Sequence, residues 1–222
     1  MFRHQEFAFV MVELAKIFQP HTYVEIGVQK SYTFNKLSPL VKRAVAVDIV
    51  PPRNLDAWKH VETYVMSSLE FAQQWKDPID FLFIDADHRK KSLLADFEAL
   101  SPFVRDSGFI MLHDTHPVNE GLLSDGYCSD AFMAAWEIFK TKPEFQIFTF
   151  PGPWAGLSLV RKTTKPLHWM NDEQLSRYLP EPVFQAETQT EMEGSFDGGG
   201  YTENPEPEKR SGRRVRHGGS RK

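Results

Sequence analysis

TYVEIGVQKSYT, residues 22–33, decides how the chain is read. An apolar run of β type ends at an acidic residue and a glycine, and polar and small residues then lead into a helical pattern. In that pattern a strand delivers a ligand to a loop of free backbone N–H groups at a helix N-terminus. Gly27 lets the backbone turn sharply and come close to a ligand, which a Cβ would obstruct. Glu25 supplies a carboxylate beside the turn, so the loop is expected to hold a small, partly cationic cofactor, with everything downstream building a sheet around it.

Before this stretch, Phe7, Val10, Met11, Leu14, Ile17 and Phe18 recur at helical spacing until Pro20 stops the pattern. After it, residues 31–40 read as a helix closed at Ser38 and Pro39. Residues 43–49 (RAVAVDI) read as a buried strand that ends at Asp48 before the breaker Pro51-Pro52. A third strand is expected over 61–66, and Ser67 and Ser68 open a short helix containing Leu69, Phe71 and Trp75. Residues 79–86 (IDFLFIDA) form the most apolar strand, followed by a helix with Leu93, Leu94, Phe97 and Leu100 on one face. A fifth strand covers 107–113, a Gly/Asp/Asn-rich connection runs over 114–130, and 131–141 is helical. Residues 145–150 and 156–161 read as a closing hairpin around Pro151, Gly152 and Pro153.

Strand and helix thus alternate through five strands, with near-continuous apolar runs where a sheet is buried on both faces. The fold class is α/β: a seven-stranded, mostly parallel sheet with right-handed crossovers, helices on both faces and an antiparallel C-terminal hairpin. Ligands of such sheets lie beyond the carboxyl ends of the strands, at the switch in strand order. Glu25, Asp48, Ser67, Ser68, Asp85, Asp87, His88, His113 and Asp114 all fall at those ends.

Composition bounds the alternatives. At 222 residues, 41% hydrophobic and 25% charged, the chain suffices for one sizeable core and is short for two. A formal charge of −4 and pI near 6.1 give no global footprint for nucleic acid or membrane. Cys128 is the single cysteine, so an internal disulfide and a multi-cysteine metal site are both excluded. The apolar run 7–12 is bracketed by Glu6 and Glu13 without a basic leader, which is not the pattern of a signal peptide, and a cytoplasmic location is expected. We expect a main globular domain over residues 1–165, an extension with a weak helix near 172–178 over 166–185, and a disordered tail over 186–222. That tail ends in Lys209, Arg210, Arg213, Arg214, Arg216, Arg221 and Lys222; it could meet phosphate-rich partners, but no aromatic residues interleave the cations, which favours a solubilising role.

The acid some twenty residues after the glycine turn, Asp48, has the spacing of a carboxylate that binds a ribose diol. Taken singly, Glu25 serves equally well as a helix cap or salt-bridge partner, and Asp48 as a turn former before the two prolines.

The succession VEIG, AVAVD, VMSS, FLFIDADH and GFIMLHDT resembles the class I S-adenosylmethionine-dependent methyltransferases. Within them it is similar to small O-methyltransferases of the catechol and caffeoyl-CoA type and to the cephalosporin-biosynthesis and sugar O-methyltransferase group. The likeness spans roughly residues 7–162 and implies a Rossmann-like fold with S-adenosyl-L-methionine as cofactor. Carried over by position, it implies that Glu25 and Gly27 form the first cofactor motif and that Tyr32 and Thr33 meet the methionine carboxylate. It further implies that Asp48 binds the ribose, and that Ser67 and Ser68 read the adenine edge by backbone N–H and hydroxyl. Ser31 stands where relatives often have a second glycine.

The resemblance also implies a divalent cation, Mg²⁺ or another, at Asp85 and an acid after the fifth strand, here Asp114. His113 stands beside it, and because hard cations prefer oxygen ligands, an imidazole there tilts the set toward a softer metal. His88 is the first candidate for a catalytic base and His113 the second, with Asp85 taking part in catalysis; either histidine taken alone is better read as a strand or helix cap, and it is two histidines with three carboxylates at adjacent strand ends that shift the balance toward a site. His116 and Asn119 are candidates for an acceptor pocket, while Trp136 and Trp154 are expected in the core. The acceptor expected is a small-molecule or sugar hydroxyl, because the signatures of DNA amino- and cytosine-methylation are missing; the oligomeric state is open. A rival reading is a nucleotide-sugar glycosyltransferase using Asp85-Ala86-Asp87 as a metal-binding Asp-x-Asp, and a third is a non-catalytic adaptor that retained the fold.

Overall fold

The computed structural model describes residues 7–151 and 155–162. The chain divides into two compact units, Met1–Trp169 and Met170–Lys222, and the described residues all belong to the first. The expected helix near 172–178, the basic tail and Trp154 lie outside the described residues.

Helix α1 (Phe7–Phe18) buries Ala8, Met11 and Ala15 and ends where Gln19 takes a left-handed backbone ahead of Pro20. Strand β1 (Thr22–Ile26) leads through the Gly27 loop to α2 (Tyr32–Leu37). The single helix expected through residue 40 is corrected: Ser38–Leu40 is a 3-10 turn. Pro39 has no N–H to continue the α ladder, so the tighter turn takes over.

The remaining elements are β2 (Arg43–Asp48), β3 (Val61–Val65), α3 (Ser68–Gln74), β4 (Ile79–Ile84), α4 (Lys90–Leu100), β5 (Val104–His113), α5 (Ala131–Thr141), β6 (Phe145–Phe150) and β7 (Leu157–Lys162). β5 begins three residues before the expected start, because Val104 already pairs with Ile79 and the register then shifts before Phe81 meets Phe109. The exposed polar run Arg105, Asp106, Ser107 bridges that irregularity and carries no apolar alternation to announce a strand. The connection after β5 contains a 3-10 turn, Glu120–Leu123.

The sheet order is β3-β2-β1-β4-β5-β7-β6, with β1 to β5 parallel and β7 antiparallel to both its neighbours. Strand order reverses between β1 and β4, so the crevice of such a sheet opens there. Alternate side chains divide between two cores. Val24, Ile26, Val45, Val47, Leu82 and Ile84 pack with Phe71, Leu93, Phe97 and Ile138 of the α3, α4 and α5 side. Tyr23, Ala44, Ala46, Phe81, Phe83 and Met111 pack with Met11, Phe34 and Leu37 of the α1 and α2 side. Burial of both faces is why these strands read as apolar runs rather than alternation. Among the described residues no helix is long and apolar enough to cross a membrane.

Candidate active site

A cleft of about 1090 Å³ opens over the carboxyl ends of β1, β2, β3 and β4. Glu25, Gly27, Tyr32, Thr33, Asp48, Ser67, Ser68, Asp85, His88 and His113 all line it. Residues separated by nearly ninety positions therefore share one rim, and each is there because its strand stops there.

Gly27 has φ +88°, and a Cβ on it would lie 2.2 Å from the carbonyl oxygen of Asp85. This contact gives the glycine a structural reason beside the expected one: a Cβ there meets the backbone at the end of β4. Two hydrogen bonds fix the crossing, Gly27 N–H to the Val47 carbonyl and Asp85 N–H to the Ile26 carbonyl, each 2.9 Å. Four residues on, Ser31 is also left-handed, at φ 59°, ψ 20°, with its hydroxyl buried and without a hydrogen-bond partner among the described residues. The loop thus keeps the conformation that favours glycine although it holds a serine.

Glu25 is 2% exposed and accepts a hydrogen bond from the Tyr23 hydroxyl. Burial pushes its carboxyl well above the usual range, Tyr23 offsets part of that, and the charges of Asp85 and Asp48 add to it. A cation placed beside Glu25 would favour the ionised form and oppose that cost.

Asp48 holds the same loop: Oδ2 accepts the Gln29 N–H at 2.8 Å and Oδ1 accepts the Val50 N–H at 3.0 Å. Its role as a turn former is therefore real, and it leaves one lone pair on each oxygen. Tyr32 is partly exposed with the Lys36 ammonium 4.9 Å from its ring centroid, and Thr33 is buried at the start of α2. At the end of β3 the hydroxyls expected to face a ligand are engaged otherwise. Ser67 caps α3 in a capping box, its hydroxyl and N–H both paired with Glu70, and the Ser68 hydroxyl donates to Asp96 Oδ1.

Beyond β4 and β5 four side chains form a relay. His113 Nδ1 lies 3.0 Å from Asp85 Oδ1 and 3.3 Å from Asp114 Oδ2, and Asp114 Oδ2 lies 3.0 Å from His88 Nδ1. Burial alone would lower the His113 pKa, but the charge of Asp85 and hydrogen bonds to Asp114 and Asp85 outweigh it and raise it to about 10. That shift favours the protonated form of His113 and weighs against its expected role as a base. Asp114 is 5% exposed; burial would raise its carboxyl, but the bonds and charge of His113, the charge of His88 and the Cys128 thiol 3.5 Å away hold it low. His88 Nδ1 faces the Tyr127 carbonyl as well as Asp114, so Nδ1 carries the hydrogen and Nε2 is the nitrogen free to accept one.

Asp85, His113 and Asp114 each bring a ligand atom within 4.8 Å of the others. Two carboxylates and one imidazole fit a divalent cation that would take the place of the shared proton, and the nitrogen donor favours a softer ion than Mg²⁺. Asp87 is not part of that group; it accepts from the Ser92 hydroxyl at 2.7 Å and faces Arg89. The Asp-x-Asp reading required Asp85 and Asp87 to act together, and they turn to different partners.

His116 and Asn119 are absent from the cleft wall; the His116 N–H is bonded to the Ala155 carbonyl and its backbone lies against Gly156. Trp136 is 59% exposed on α5 and stacked on Phe139, not in the core as expected. Three residues of the site escaped the sequence reading. Phe7 lines the cleft with its ring 4.2 Å from that of His113, Tyr127 orients His88 by its carbonyl, and Asp96 lines the cleft beside Ser68. Of these, Asp96 alone had a local signal: an acid between Leu93, Phe97 and Leu100 on an otherwise apolar helix face.

Residues 24–115 match the model of a family described as a methyltransferase domain. The chain is similar to the solved O-methyltransferase of Bacillus cereus in complex with SAH, at 19% identity and a TM-score of 0.56, over 73% of this chain and 83% of that one. It is also similar to the SAH-bound methyltransferase PaMTH1 of Podospora anserina (12% identity, TM-score 0.58, 73% and 80% covered). A third is the O-methyltransferase TomG of Streptomyces achromogenes, in complex with SAM (16% identity, TM-score 0.53, 71% and 79% covered). Residues 24–115 thus carry the match to a methyltransferase domain, and the fold around them is the one these solved methyltransferases share. Two of the three solved proteins are named for methylation of oxygen.

Proposed function

We propose that the protein transfers the methyl group of S-adenosylmethionine to a hydroxyl oxygen of a small organic molecule or sugar, with Asp85 and Asp114 holding a divalent cation. The observation that supports this most is the meeting of Glu25, Asp48, Ser68, Asp85 and His88 along one cleft at the β1/β4 switch. A buried carboxylate at Glu25 suits the ammonium group of the cofactor, and the free lone pairs of Asp48 suit its ribose diol.

The reaction is an in-line displacement. The acceptor oxygen forms a bond to the methyl carbon as the carbon–sulfur bond breaks, the electron pair stays on sulfur, and the hydroxyl proton leaves. The protein's main task is to aim the oxygen, and such positioning is worth about 7–11 kcal/mol in the best intramolecular cases. A divalent cation bound by Asp85, His113 and Asp114 would supply Lewis acidity that lowers the acceptor hydroxyl's pKa. His88, with Nε2 free and Nδ1 fixed by Asp114 and Tyr127, is the group to take the proton. Phe7, packed on the ring of His113, gives this end of the cleft an apolar aromatic wall.

The test is ligand-induced stabilisation followed by acceptor screening with labelled methyl donor. S-adenosylhomocysteine should raise the melting temperature, whereas a nucleoside diphosphate with Mn²⁺ should not. The opposite pattern would favour the glycosyltransferase reading. Stabilisation by S-adenosylhomocysteine without turnover on any acceptor would favour the adaptor.

A further inference from the structure

Tyr23 lies wholly inside the core on the α1 and α2 side of the sheet, its ring centroid 5.8 Å from that of Phe34 and 5.0 Å from that of Phe81. The aromatic part of that core is otherwise phenylalanine, at Phe34, Phe81, Phe83 and Phe109, and a phenylalanine at position 23 would fill the same space with no hydroxyl to satisfy. The hydroxyl has one use among the described residues. It donates to Oε2 of Glu25, two residues along the same strand and therefore on the same face of the sheet. Glu25 is itself buried, yet it reaches the cleft wall, and no donor among the described residues pairs with its Oε1. Tyr23 is absent from that wall.

A glutamate carboxylate rotates about its terminal bond unless something holds it. The Tyr23 bond fixes one oxygen from the core side, which leaves the other as the acceptor presented to the cleft. Burial favours the neutral form of Glu25 and the Tyr23 hydroxyl opposes it, so the same bond supports the ionised carboxylate that a cation needs. We propose that Tyr23 is a positioning residue for the cofactor: from within the core it aims Glu25 at the ammonium group of the amino-acid end and so sets how strongly the cleft prefers a cofactor carrying that end. The inference rests on the reading above that Glu25 meets that ammonium. Tyr23 itself touches no ligand and acts through Glu25 alone, which separates its role from that of a hydroxyl merely paired off inside the core.

The experiment is calorimetric titration of the full chain with S-adenosylhomocysteine and with 5′-methylthioadenosine, which keeps the adenosine and the sulfur but lacks the amino-acid end. Wild type, Tyr23→Phe, Glu25→Gln and the double variant are compared. Wild type should bind S-adenosylhomocysteine the more tightly. Tyr23→Phe keeps the ring and should weaken S-adenosylhomocysteine by about 10-fold, the scale of one charge-assisted hydrogen bond, while 5′-methylthioadenosine stays within about 2-fold. In the Glu25→Gln background the same change should weaken S-adenosylhomocysteine by less than about 2-fold, since the carboxylate through which Tyr23 acts is gone. Equal weakening of the two compounds by Tyr23→Phe would mark a purely structural role and overturn the inference. So would an unchanged affinity for S-adenosylhomocysteine, or a loss that persists undiminished in the Glu25→Gln background; all three leave the cofactor reading intact. Wild type binding both compounds alike would take Glu25 away from the amino-acid end, and wild type binding neither would remove the cofactor reading, with the inference falling in each case.

Discussion

Ser31 combines two penalties in one residue, a left-handed backbone and a buried hydroxyl without a partner among the described residues. Ser31→Gly relieves both, while the freer unfolded chain opposes it, so a net gain of about 1 kcal/mol is expected in urea unfolding. A loss of stability would mean that the serine makes a compensating interaction in solution. The sequence pointed to this position as a missing glycine, yet only the backbone angles show that the loop kept the glycine's conformation. Asp96 gives a second test at this scale. Burial raises its carboxyl to about 6, with Ser68 offsetting part of the shift and Asp87 adding to it. A carboxyl raised on folding contributes stability that is present below its unfolded pKa and is lost as pH rises through the folded value. Wild-type stability should therefore carry a declining contribution between about pH 4 and pH 6. Asp96→Asn removes that decline, and its stability relative to wild type should improve across the window by on the order of 2 kcal/mol in pH-dependent chemical denaturation. A parallel pair of profiles would show that Asp96 is not titrating there.

At the scale of elements, the ends of strands and helices carry the site, and they differ in what they tolerate. Ser67 was expected to read a ligand; its capping box shows that it starts α3. Ser67→Ala should cost about 1 kcal/mol of stability and change S-adenosylhomocysteine affinity by less than about 3-fold, measured by denaturation and titration on the same preparation. A large affinity loss with unchanged stability would show that Ser67 also serves the ligand as expected. Gly27 is stricter, because the atom opposing a new Cβ is backbone and has no rotamer to move. Gly27→Ala should destabilise by on the order of 3–5 kcal/mol and loosen the β1–β4 crossing as a unit, visible as lost amide-exchange protection at both Ile26 and Asp85. The strands flanking this crossing were legible because burial on both faces writes itself as an apolar run. The early start of β5 was not, since Arg105, Asp106 and Ser107 continue the strand by pairing across a register shift rather than by pattern.

At the scale of the molecule, the proposed cofactor and metal stations lie along one cleft but on different strands, so they can be separated. S-adenosylhomocysteine at 100 times its dissociation constant should stabilise the protein by about 2.7 kcal/mol. A chelator, or Asp85→Asn, should abolish turnover while leaving that stabilisation largely intact. If a working enzyme ignores the chelator, Asp85 and Asp114 do not hold a required metal, and His88 carries proton removal alone.

The sequence by itself determined the alternation of strand and helix, the parallel sheet and the gathering of polar residues at strand ends. Those follow from local periodicity and from glycine and proline punctuation, which act within a few residues. The tertiary structure alone decided the partners. His113 meets Asp85 across 28 positions, and Ser68 meets Asp96 across another 28, through strand order and helix packing that leave no local trace. It also decided that Asp85 and Asp114 raise the pKa of His113 and that Gly27 is demanded by a neighbouring strand, because burial and the approach of distant charges exist only once the chain has closed on itself.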